Sequence, residues 1–138
     1  MNEINKVTNI QQEWVRATTT LKEARTLAGQ ELWEGATSRA YYAAFHATQA
    51  LLLTESLQPK SHQGVIHQFV HNFVKKGLIE PEYSQILARA AKYREEADYR
   101  HTMVFTRAQT EQTIQEVELF LKRMAQYLQK VGYPTKTS

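Results

Sequence analysis

The stretch SRAYYAAFHATQALLL, residues 38–53, decides the fold. Alanine recurs at Ala36, Ala40, Ala43, Ala47 and Ala50, a three-four spacing that lays small side chains along one side of a helix, while Tyr41, Phe45 and Leu52 point in other directions. A helix that is apolar most of the way round has to be covered on several sides. The segment at about residues 31–55 is therefore expected to be the central helix of a bundle. His46, Thr48 and Gln49 interrupt the apolar run, which is also shorter than the roughly 20 residues a membrane span requires.

The flanking sequence agrees with a bundle. Upstream, Trp14, Ala17, Leu21, Ala24 and Ala28 share one face of a helix at about residues 8–29. Downstream, Pro59 stops the central helix and Ser61 can cap the next, whose apolar positions are Val65, Ile66, Phe69, Val70 and Phe73 and which Gly77 ends. A fourth helix opens at Pro81 and runs through Ile86, Leu87, Ala90 and Ala97. The β-branched cluster at residues 102–106 disfavours helix, and Thr106 to Gln109 reads as a capping box for a last helix seamed by Ile114, Val117, Leu121, Met124 and Leu128. The expectation is an all-α, antiparallel bundle of about five helices. It forms a single domain over residues 1–138, with a core at about 12–130.

Composition narrows the function. With 42% hydrophobic and 22% charged residues, the 138-residue chain has the balance of a globular protein. It has no cysteine, which removes disulfides and thiolate metal sites and suits a reducing cytoplasm. A net charge of +3 and an isoelectric point near 9.2 permit an anionic partner such as RNA or nucleotide. No glycine-rich phosphate loop, nucleophile elbow or carboxylate cluster is present.

The reactive residue types gather in YREEADYRHT, residues 93–102. At 100° per residue, Asp98 lies about 40° from Arg94 and His101 about 20° to the other side, so a continuous helix puts all three on one face. Two readings follow. In one, Arg94 and Asp98 form a surface pair worth about 0.2–0.5 kcal/mol. In the other, the planar guanidinium holds a phosphodiester and the imidazole, which titrates near neutrality, moves a proton; RNA could then be cut without a metal ion. The other histidines carry weaker signals. His67 and His71 have the i,i+4 spacing of a zinc pair, but Gln68 stands where a zincin has its glutamate. His46 sits in an apolar helix and reads as a core residue. His62 reads as part of a cap region, where exposed amides and Lys60 could also meet an anion.

The segments at residues 38–53, KSHQGVIHQFVHNFVKKG and YREEADY together resemble the HEPN family (higher eukaryotes and prokaryotes nucleotide-binding), in particular its small stand-alone prokaryotic members. The resemblance covers about residues 12–130. It implies a helical bundle, often homodimeric, paired with a minimal nucleotidyltransferase in a toxin-antitoxin system. No cofactor is implied. It also implies metal-independent ribonuclease activity from an arginine followed, after four to six residues, by histidine. Arg94 and His101, with six residues between them, match that form, and Asp98, Tyr99, His62 and Lys60 are the supporting or nucleotide-binding candidates. Glu95 stands where the active ribonucleases carry a small polar residue, and Met103 stands where the neutralised toxins carry a tyrosine.

Overall fold

The computed structural model describes residues 2–135. Within them all regular structure is helical, in five helices, as the periodicity requires. Helix α1 spans Glu3–Gly29 and starts about five residues earlier than the apolar pattern indicates. The Asn2 side chain accepts a hydrogen bond from the Asn5 amide at 2.9 Å and caps it upstream of the first apolar residue. Helix α2 spans Trp33–Thr54. Its stripe of small residues is fully buried, and it packs against α1 and every later helix. Small side chains let the neighbouring backbones approach closely, so α2 is the axis of the bundle.

Helix α3, His62–Phe69, begins where Ser61 Oγ accepts from the Gly64 amide at 2.9 Å. Gly64 is needed there because a Cβ would lie 2.9 Å from Ser61 Oγ and 3.2 Å from the Pro59 Cβ. The helix continues as a π-helical turn over Val70–Val74 and ends before Gly77, whose φ of 75° suits glycine. Helix α4, Pro81–Glu95, has proline in its first turn and runs into a second π-helical turn, Glu96–Arg100. Helix α5, Arg107–Lys130, is capped by Thr106, which accepts from the Gln109 amide at 3.2 Å.

The second π-helical turn overturns one expectation. A continuous α-helix through His101 is what placed Arg94, Asp98 and His101 on one face. Instead the hydrogen bonding slips by one residue, so the His101 amide donates to the Glu96 carbonyl at 2.8 Å, and His101 itself takes a left-handed conformation with φ 56° and ψ 27°. Both changes alter the angle per residue, and the shared face dissolves.

Candidate active site along α2

One face of α2 organises the polar residues. Glu34, Ser38, Tyr41 and Phe45 are separated by four, three and four residues and so stack along one side of the helix. Each meets a different residue. Glu34 Oε2 lies 3.6 Å from His101 Nδ1. Ser38 donates to Asp98 Oδ2 at 3.2 Å. The rings of Tyr41 and Tyr42 lie 5.1 and 5.8 Å from the guanidinium carbon of Arg94. Phe45 stacks on His62 with ring centroids 4.4 Å apart and an interplanar angle of 20°. Seven residues of α-helix separate Glu34 from Tyr41, a rise of roughly 10 Å, so His101 and Arg94 occupy different levels of this face.

Arg94 is the unusual member. It is only 8% exposed, no carboxylate lies within 4 Å of it among the described residues, and its Nε is sealed from solvent without a partner. Asp98, the expected pair, is taken by Ser38. A buried charge without a counter-ion is destabilising, and here three aromatic faces offset part of that, since Tyr99 covers the guanidinium from outside at 5.4 Å while itself 69% exposed. Such a group has unused capacity for an anion.

Two further groups adjoin it. Tyr41 Oη lies 2.7 Å from His62 Nδ1, and the two rings are stacked with centroids 5.8 Å apart. Burial raises the Tyr41 phenol to about 12, against an opposing effect from the Arg94 charge, so it keeps its proton. Burial, helped by the positive charge of Arg94, lowers the His62 pKa, so the imidazole is neutral at pH 7. His46 lies about one turn further along α2, partly exposed and outside the core, with Nδ1 2.8 Å from Glu13 Oε2 of α1.

At the other end of the face, His101 opens onto a groove of about 580 Å³ lined by Glu31 to Gly35 and by Met103, Val104 and Phe105. Lys60 is exposed and borders a separate groove of about 350 Å³ together with Glu13, Gln49 and Leu53. The rings of His67 in α3 and His71 in the π-helical turn after it are near-parallel, exposed and 6.1 Å apart. Among the described residues no group of three or more His, Cys, Asp or Glu is placed to hold a metal ion, and no helix is long and apolar enough to cross a membrane.

The structure thus brings Arg94, Tyr99 and His62 together, ties Asp98 to Ser38, and leaves His101 and Lys60 apart. The pattern of Glu34, Ser38, Tyr41 and Phe45 is a signal that reasoning from YREEADYRHT alone misses. The HEPN domain model matches residues 11–128. The chain belongs to the HEPN family. Two proteins of Methanocaldococcus jannaschii are similar to it. One, named "Putative toxin MJ0605", is 40% identical over 111 residues, covering 80% of this chain and 82% of that protein. The other, named "Putative toxin MJ0142", is 32% identical over 113 residues, covering 82% and 77%. A "UPF0332 protein" of Thermotoga maritima is 32% identical over 121 residues, covering 88% and 90%. The family match extends from α1 to the last turns of α5 and so takes in the whole α2 face.

Proposed function

We propose that this HEPN protein is the toxin-like half of a toxin-antitoxin pair with a minimal nucleotidyltransferase, and that it cuts RNA in the cytoplasm without a metal ion, with Arg94 holding the phosphodiester and His101 moving a proton. The observation that carries this reading is the buried guanidinium of Arg94, unpaired with any carboxylate among the described residues and cradled by Tyr41, Tyr42 and Tyr99. An incoming phosphate would supply the missing counter-ion. As the ribose 2′-oxygen attacks phosphorus, the negative charge on the phosphoryl oxygens grows, and a fixed cation in a poorly solvated site stabilises that charge more than water does. The names of the two Methanocaldococcus relatives support the toxin-like role. Because Arg94 and His101 stand at different levels of α2, a two-fold dimer would let His101 of one copy meet the phosphate held by Arg94 of the other. The exposed Leu32, Tyr99 and Val104 give such a contact its apolar surface. Exposed Lys60 adds positive charge for the RNA strand.

A second reading is a non-catalytic module that binds nucleotide or docks the nucleotidyltransferase. The contact of His101 with Glu34 and the exposure of both favour it. Induction of the wild type and of His101→Ala, followed by growth and by total-RNA integrity in EDTA, separates the two. Arrest and RNA cleavage by the wild type alone support catalysis; identical behaviour of both proteins contradicts it.

A further inference from the structure

A single histidine leaves RNA cleavage one proton-transfer group short. The 2′-hydroxyl must lose a proton as its oxygen bonds to phosphorus, and the 5′-oxygen must gain one as its bond to phosphorus breaks. Within one chain the imidazole that adjoins Arg94 is His62. Its Nδ1 lies 2.7 Å from Tyr41 Oη, and the Tyr41 ring is also one of the three that carry the Arg94 guanidinium, 5.1 Å from its centre. Phe45, stacked at 4.4 Å, blocks one face of the imidazole, and the Ser61 cap with the close turn at Gly64 holds the backbone beneath it. Nε2 makes no hydrogen bond among the described residues and is not sealed from solvent.

Resting on the reading that RNA is cut at Arg94, we propose that His62 is the general base of that reaction: Nδ1–H donates to Tyr41 Oη, and the free Nε2 lone pair takes the proton of the ribose 2′-hydroxyl. The bond from O2′ to phosphorus forms, the bond from phosphorus to O5′ breaks, and the proton for O5′ comes from His101, so atoms and charges balance in a transesterification that leaves a 2′,3′-cyclic phosphate and a 5′-hydroxyl. The depressed pKa of His62 keeps it in the proton-accepting form at pH 7. Tyr41 is a positioning residue, which selects the tautomer without touching RNA. The titratable or charged groups facing His62 are Tyr41, Tyr42 and His46 on α2, Glu13 of α1 through His46, and Arg94 on α4.

The test is single-turnover cleavage of an RNA oligonucleotide in EDTA between pH 5 and 8 by the wild type, His62→Asn and Tyr41→Phe, each checked for helix content by circular dichroism. His62→Asn is expected to cut about 100-fold more slowly and to lose the acid limb of the rate profile. Tyr41→Phe keeps that limb with a smaller loss of rate, and the ¹⁵N spectrum of its His62 shows a mixture of tautomers in place of one. A folded His62→Asn that cuts within about threefold of wild type, with the same profile, overturns the role of His62 and leaves cleavage at Arg94 standing. RNA left intact by the wild type at every pH overturns cleavage itself, and this role with it. Should His62→Asn fail to fold, the wild-type profile decides: an acid limb at the pKa that NMR assigns to His62 supports the base, and one at the pKa of another histidine overturns it.

Discussion

The two ends of the α2 face are built differently. At the Phe45 end, His62 and Arg94 are clasped by aromatic rings, and the Tyr41 hydroxyl links them through a short hydrogen bond and a shared ring. At the Glu34 end, His101 itself takes the left-handed conformation, 3.6 Å from an exposed carboxylate, beside an open groove and the exposed Val104. One end is closely packed and poorly solvated, so its charges act strongly. The other is solvated, so its imidazole is available to a partner molecule but unguided within the chain.

That contrast can be broken by substitution. Phe45 is buried against Tyr41 and His62, so Phe45→Ala is expected to lower unfolding free energy in urea by about 3–5 kcal/mol, whereas Val104→Ser at the open end changes it by less than about 0.5 kcal/mol. Comparable losses at both positions would erase the distinction. The closed end should also reveal itself at high pH. The Tyr41 phenol, raised from 10.0 to about 12 in the folded chain, binds its proton more tightly than in the unfolded chain. The stabilisation is full below pH 10 and is lost as pH rises from 10 towards 12, a loss of up to about 3 kcal/mol that Tyr41→Phe should abolish in urea titrations across that window.

Smaller effects are expected at Arg94 and His101. Since Arg94 is buried without a carboxylate among the described residues, Arg94→Met is expected to leave stability unchanged or to raise it by about 1 kcal/mol, although it removes contacts to three rings. A clear loss of stability would mean that the arginine is there to hold the fold. His101→Gly removes the strain of φ 56° and is expected to gain about 0.5 kcal/mol, measurable in the same urea titrations. No gain would show that the Glu34 contact compensates for the left-handed backbone.

The fold was legible because its signals are local. Ser61, Thr106 and Pro81 mark helix starts by their chemistry, and the alanine stripe of α2 declares a helix covered on all sides. The early start of α1 has no such signal, because the Asn2 cap precedes any apolar periodicity. The π-helical turns were hidden for a deeper reason, because a slip of one hydrogen bond is set by what the helix packs against and leaves no spacing signature. Of the site, Arg94 was visible as a residue type, but its partners on α2 and α3 lie far away in sequence, and only tertiary structure joins Tyr41 and His62 to it. His101 lost its expected place through the same slip.

On the proposed reading, Arg94 stays buried and without a carboxylate among the described residues because a phosphate completes it. The most direct test is the affinity of wild type and Arg94→Met for an RNA oligonucleotide made uncleavable by 2′-methoxy groups, measured across a range of salt concentrations. Binding to the variant is expected to be weaker by about tenfold or more, with the slope of log K against log salt reduced by about one. Equal affinity and equal slope for the two proteins would contradict it.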